Sequence, residues 1–261
     1  DRPPLGDIAG AWFSLVLMNP DTDFLFTFDY DGKDFTFDTR IIRWFDLYLK
    51  GIQNGEDKKP RATYYIIGEN QWHTSDEWMP TEAKLVNLYL DSDGHANSLN
   101  GDGRITLEPA EPGTDSYVYD PEFPCGGEGD GFDDGLICPY KCNSRQIRSD
   151  VLCYDSPVLE QDVAIAGPLY AELYAASSAV DTDFIVRVSD VDEEGVARNV
   201  SFGILRAEFR KGWDKPELLV PGQVEKYEME MYFHGMVFKK GHKIRIDVSS
   251  SELLESFEPG F

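Results

Sequence analysis

From about Pro60 onward the chain is written in short runs of alternating apolar and polar residues, parted by Gly, Pro, Asn and Asp. Residues 62–67 (ATYYII) make a β-branched and aromatic run, and residues 84–90 (KLVNLYL) read as an alternating one. Residues 170–174, 184–188, 199–205, 226–233 and 243–248 continue the series. A period of two sends successive side chains to opposite faces of a strand. Many such strands, with turn residues between them and almost no helix, predict a mainly β sandwich or barrel. The start of the chain reads differently. Phe24, Phe26 and Phe28 alternate like a strand, and Asp31-Gly32 signals a tight turn. The period then changes. Ile41, Trp44, Phe45, Tyr48 and Leu49 fall at helical spacing, with Gly51 as a natural stop, so a helix is expected near 40–50.

Composition narrows this picture. A chain of 261 residues, 41% hydrophobic and 13% aromatic, buries one large core or a core with a small appendage. No run approaches the ~18 to 20 apolar residues of a membrane-spanning helix. The apolar run 11–18 lacks a basic flank and a small-residue cleavage site, so it does not read as a signal peptide. The chain begins at Asp1 rather than Met, which suggests a processed or excised start. With 48 acidic against 24 basic residues, the net charge of −24 argues against nucleic acid and anionic membranes as partners. The acid is dispersed, as on a solvated surface.

Four cysteines, Cys125, Cys138, Cys142 and Cys153, sit close together in sequence. Only Cys138 and Cys142 come near the knuckle spacing of a zinc site, so disulfides are expected before free thiols, and metal last. Gly126, Gly127, Gly129, Gly131 and Gly135 make a loose segment that a cross-link would close. Disulfides would favour an extracellular or periplasmic location.

Several motifs then fall in one order. Residues 43–51 (RWFDLYLKG) are followed by Ile67-Gly68 through Trp72, then Glu77-Trp78-Met79-Pro80. Next come Leu88-Tyr89-Leu90, residues 93–103 (DGHANSLNGDG), 115–121 (DSYVYDP) and 152–159 (LCYDSPVL). Residues 175–184 (AASSAVDTDF), Asp190-Val191, 203–210 (GILRAEFR) and 238–245 (FKKGHKIR) complete the set. From about residue 40 to 251 this series resembles the C-terminal part of the CocE/NonD and X-prolyl dipeptidyl-peptidase hydrolases. The resemblance implies a jelly-roll sandwich of galactose-binding-like shape over 52–261. Residues 1–51 would be the remnant of an α/β-hydrolase domain, closed by the helix around Trp44. It also implies a hydrolase domain in cis as partner, with a homo-oligomer as the alternative.

The family's chemistry does not carry over. A nucleophile elbow of the form G-x-S-x-G is absent. The nearest counterpart of the family's histidine passage is Gly10-Ala11-Trp12-Phe13-Ser14, where Ser14 stands in place of the base. His73, His95, His234 and His242 all lie in sandwich text, so no triad can be assembled and no catalytic residue is assigned. Beyond residue 251 the family's "F-P" passage is replaced by 252–257 (ELLESF).

Other constellations are weaker. Asp91, Asp93, Asn97, Asn100 and Asp102 suggest an oxygen-rich cation loop, but Gly94 comes too early for an EF-hand and Arg104 intrudes. No other cofactor is expected, and calcium in that loop is set against a plain structural turn. Asp181 and Asp183 share a strand face and are read as turn tethers, with Arg206 or Arg210 as partner, rather than as a glycosidase pair. His242 is read as a packing or capping residue. Trp72, Trp78 and Trp213 would make a sugar-stacking platform, against which stand core or interface roles. Three functions follow: a non-catalytic accessory domain of a serine acyl hydrolase acting on ester, amide or Xaa-Pro bonds, a carbohydrate-binding module, or an assembly protein reusing the sandwich.

Overall fold

A computed structural model of the chain describes residues 27–30, 33–77, 80, 82–109, 111–125 and 141–251, with backbone alone for 27–30 and 33–40. The chain divides into two units, Asp1–Ala83 and Lys84–Phe261.

In the first unit, strands β1 (Thr27–Tyr30) and β2 (Lys33–Thr36) pair antiparallel, and the turn expected at Asp31-Gly32 lies outside the described residues. They run into helix α1 (Phe37–Lys50). Gly51 ends it: at φ 71° its N–H donates to the Leu47 carbonyl, and Ile52 N–H reaches the Asp46 carbonyl. Arg43 locks the following turn, giving its Nε to Glu56 at 2.8 Å and its Nη2 to the Asn54 carbonyl at 2.7 Å. Strands β3 (Ala62–Ile66) and β4 (Gln71–Ser75) form a hairpin in which Ala62, Tyr65 and Ile66 are buried.

The second unit is a sandwich. Its larger sheet contains β5 (Tyr89–Asp91), β6 (Arg104–Thr106), β7 (Leu152–Asp155), β9 (Asp183–Val191), β10 (Ala197–Arg206) and β12 (Lys243–Ser249). They lie in the order β10-β9-β12-β7-β6-β5, antiparallel except for β6 against β7. The long strands β8 (Val163–Ala175) and β11 (Glu225–Phe238) form the second, two-stranded layer. Alternation sends Phe184, Val186, Tyr154, Leu152 and Val248 from the large sheet against Tyr227, Met229 and Met231 of β11. These side chains are the core, and apolar burial of this size is the main stabilising term.

The expected mainly β sandwich is what the chain builds, and the helix near 40–50 is α1. One strand is shorter than its pattern. The run at 84–90 is expected to be a strand, yet only Tyr89–Asp91 enter a ladder; Leu85 and Val86 are adjacent apolar residues that break the alternation, and both are exposed. Alternation makes a strand face but supplies no partner strand, and none flanks residues 84–88 among the described residues.

Candidate functional site

The cation-loop residues turn inward to the protein's own groups. Asp91 and Asp93 clasp Arg104, at 2.6 and 3.1 Å. Asp102 Oδ1 accepts the His95 N–H, and Asn97 Nδ2 donates to the carbonyls of Ser116 and Ser149, both at 2.9 Å. The Asn100 N–H donates to Ser98 Oγ. Ser98 sits at φ 66°, and Gly103 packs so tightly on the Cys153 carbonyl that no Cβ fits. The residues therefore form a turn pinned to β7, and among the described residues no group of three or more His, Cys, Asp or Glu converges as metal ligands.

Asp115 explains the motif at 115–121. Its Oδ2 accepts from Ser92 Oγ at 2.7 Å and from the Tyr154 hydroxyl at 2.8 Å, while Oδ1 accepts the Ala96 N–H. Burial pushes the Tyr154 phenol up, and the neighbouring carboxylate adds to it. Two residues on, the Tyr117 hydroxyl meets Ser250 Oγ at 2.7 Å.

The tryptophans of the expected platform belong to two units. Trp72 meets Tyr65 edge-on within the first unit, Trp213 lies exposed beside Phe209 on the β10–β11 connection, and Trp78 lies outside the described residues. Asp181, not Asp183, takes Arg206, with Nε to Oδ2 at 2.7 Å, and it also accepts the Glu208 N–H. Arg210 turns instead to Glu217 and to backbone carbonyls.

The expected disulfides are a correction. Cys125, Cys142 and Cys153 are buried free thiols, and Cys138 lies outside the described residues. Burial pushes each of these three thiols up, for Cys153 with the Asp247 carboxylate adding to it. A protonated, sealed thiol is neither a nucleophile nor a ready metal ligand. Packing supplies the reason: Cys125 and Cys153 fill a small cluster with Val151, and Cys142 fills another with Val191 and Ala197.

These thiols line a region that the sequence pattern concealed. The face of the large sheet turned away from the core is buried yet polar: Arg187, Ser189, Arg245, Asp247 and Ser249 project there. Helix α2 (Asn143–Gln146) lies over it. Gln146 is fully buried, and its Nε2 donates to Asp247 Oδ2 at 2.8 Å and to Ser189 Oγ at 3.3 Å. Its Oε1 accepts from Arg245 Nη1 at 3.0 Å. Arg245 also grips Asp155 with two parallel bonds of 2.5 and 2.8 Å. Asp247 stands directly across the ladder from Arg187, whose Nη1 reaches Cys142 Sγ at 3.8 Å. Alternate charged positions in β9 and β12 ordinarily mean a solvent face. The signal that they do not is the segment Cys142–Gln146, which lies on top of them.

Two of the histidines pair with carboxylates. His73 pairs with Glu69 at 3.1 Å and His242 Nδ1 with Asp190 at 2.9 Å. His234 is half-buried in β11, and desolvation of its ring pulls its pKa down to about 4. Among the described residues these groups meet no serine in a catalytic set. Ser14 lies outside them.

Polar and charged groups of the sandwich are engaged by internal partners, as at Asp115, Gln146 and Arg245. Residues 54–256 match the X-Pro dipeptidyl-peptidase C-terminal non-catalytic domain, and the chain belongs to that family. It is 32% identical over 251 residues to a cocaine esterase of Rhodococcus sp. (strain MB1 Bresler), covering 94% of this chain and 43% of that protein. It is similar in structure to an aminopeptidase from a marine sediment Thaumarchaeota archaeon, with TM-score 0.68, 27% identity, and 82% and 36% of the two chains covered. It also shares its fold with an α-amino acid ester hydrolase, at TM-score 0.67 and 24% identity over 82% and 37% of the two chains. The CocE/NonD resemblance read from the motifs is borne out. The chain spans less than half the length of the relatives it matches.

Proposed function

We propose that this chain is the accessory sandwich of a CocE/NonD-type serine hydrolase cleaving ester, amide or Xaa-Pro bonds, with the nucleophile and base supplied by sequence outside residues 54–256. The observation that carries this reading is the match of 54–256 to a domain that is non-catalytic in its family. Relatives described as esterases, an aminopeptidase and an ester hydrolase support the bond class. Within such an enzyme the sandwich packs on the hydrolase domain and shapes its entrance, while its own polar groups keep it rigid. With three cysteines as buried thiols, the disulfide argument for a place outside the cytosol falls away, and an acidic surface alone does not select a compartment.

The test has two arms. The coding sequence before Asp1 is read for a G-x-S-x-G passage, and p-nitrophenyl ester turnover is measured for this chain and for the longer product. The expected result is no turnover by this chain, and turnover by the longer product that a serine-directed phosphonate abolishes. Phosphonate-sensitive turnover by residues 1–261 alone would overturn the non-catalytic assignment.

A further inference from the structure

The two-stranded layer has an outward face whose chemistry the core does not use. Leu169, Ala171 and Leu173 of β8 and Tyr227, Met229 and Met231 of β11 turn to the core. Alternation therefore sends Tyr170, Glu172 and Tyr174 of β8 and Lys226, Glu228 and Glu230 of β11 the other way, and all six are exposed. The ladder sets them in three pairs: Tyr174 opposite Lys226, Glu172 opposite Glu228, and Tyr170 opposite Glu230. Two carboxylates directly across a ladder repel each other. Lys226 answers both, its Nζ standing 2.7 Å from Glu172 Oε2 and 2.7 Å from Glu228 Oε1. The lysine, with the Tyr174 hydroxyl donating beside it, holds the Glu172 carboxyl below its usual range. One end of the face is thus a seat for an ammonium group, built from a tyrosine and carboxylates. The chain fills that seat itself.

The other end repeats the chemistry without the cation. Tyr170, 64% exposed, lies across the ladder from Glu230, whose carboxylate pairs with no cation among the described residues. The bulge that follows Glu230 sets Tyr232 at φ 65°, and its ring is exposed as well. A tyrosine ring beside a carboxylate attracts a cation twice, through the negative face of the ring and through the charge. Exposed tyrosines are also the residue type enriched where proteins meet. The charge of the whole chain, −24, repels a second copy and draws in a basic surface. We infer that the outer face of β8 and β11 docks a basic segment of a partner protein, seating one of its Lys or Arg side chains against Tyr170 and Glu230. This does not depend on the function proposed above.

The test titrates the protein with a fluorescein-labelled oligoarginine peptide at low salt and follows the anisotropy. A chain this acidic attracts a polycation everywhere, so each variant is paired with one that makes the same charge change off the face. Tyr170→Ala plus Glu230→Gln should weaken binding about tenfold, against less than about twofold for Glu160→Gln in the loop before β8. Tyr170→Phe, which keeps the ring, should stay within about twofold of wild type. Lys226→Gln opens the filled seat and should strengthen binding about threefold or more, against less than about twofold for Lys215→Gln. All of these side chains are exposed, so the variants are expected to fold, which thermal unfolding checks. Equal effects on and off the face would overturn the inference and leave only the field of the whole chain. A longer product of the same gene whose binding ignores all these substitutions would show the face covered in cis, and would overturn it too.

Discussion

The two faces of the six-stranded sheet are both sealed from water, but they are held by opposite chemistry. Toward β11 the sheet presents Phe184, Val186, Tyr154 and Val248, and cohesion there is apolar burial spread over many contacts. Beneath α2 it presents Arg187, Arg245, Asp247 and Ser189, and cohesion is a network in which Gln146 and Asp155 answer specific donors and acceptors. An apolar face tolerates exchange of one well-packed side chain for another of like volume. A buried charged network does not, because each group removed strands its partner without water. Burial alone therefore does not say what a mutation costs. The chemistry of the burying surface does.

The comparison breaks most sharply at Asp247. Asp247→Ala should cost about 3 to 5 kcal/mol in urea unfolding, since it strips the carboxylate from Gln146 and from the Arg187 opposite. Asp247→Leu combined with Arg187→Met should recover much of that loss. A cost for Asp247→Ala below about 1 kcal/mol would show that the second face is not a closed ion network. On the apolar face, Met231→Ala should cost about 3 kcal/mol, as a cavity among Phe184, Tyr227 and Met229, with no rescue by any single partner. The pH should also separate the faces through His234 on β11. Its folded pKa, about 4, lies below the ordinary 6.5, so the fold holds it neutral while the unfolded chain takes up a proton. That contribution is fully present above about pH 6.5 and is lost as pH falls toward 4, in all about 3 kcal/mol. His234→Gln should flatten this part of the stability profile measured by thermal melts. The smallest effect belongs to the surface: Arg104→Ala should leave the urea midpoint nearly unchanged, because its ion pairs with Asp91 and Asp93 are exposed. Millimolar calcium should leave the melting temperature unchanged, since those carboxylates already serve Arg104.

Much of the apolar face was legible before any coordinates. The runs at 184–188, 199–205, 226–233 and 243–248 lie within β9, β10, β11 and β12. The helical spacing of Trp44, Tyr48 and Leu49 marks α1. The polar face was not legible, and the reason is physical. Period-two alternation tells which residues share a face, not whether something covers that face. Arg187 and Asp247 have the pattern of solvent residues, and only the segment folded over them makes them buried. Residues 84–88 fail for another reason: Leu85 and Val86 break the alternation, and no ladder partner flanks them among the described residues. Cysteine spacing in sequence does not decide between a cross-link and packed thiols: Cys125 and Cys153 share one packed cluster, yet both remain free thiols.

The position of β12 carries a consequence for how the protein is made. This strand is the last of the described chain, yet it lies inside the large sheet, hydrogen-bonded to β9 on one side and β7 on the other. Arg245 meets a partner 90 residues earlier in Asp155, and Ser250 meets Tyr117 across 133 residues. Pairings so distant in sequence form slowly, because the intervening chain must be closed before the contact returns any energy. On the ribosome, β7 and β9 would leave the exit tunnel with the slot between them empty, and their neighbouring edges would stay open until residues 243–249 emerged. The sheet is completed from its middle, by the last of its strands to be synthesised, and that delay is the interval in which chaperones or a waiting partner domain would have to guard it.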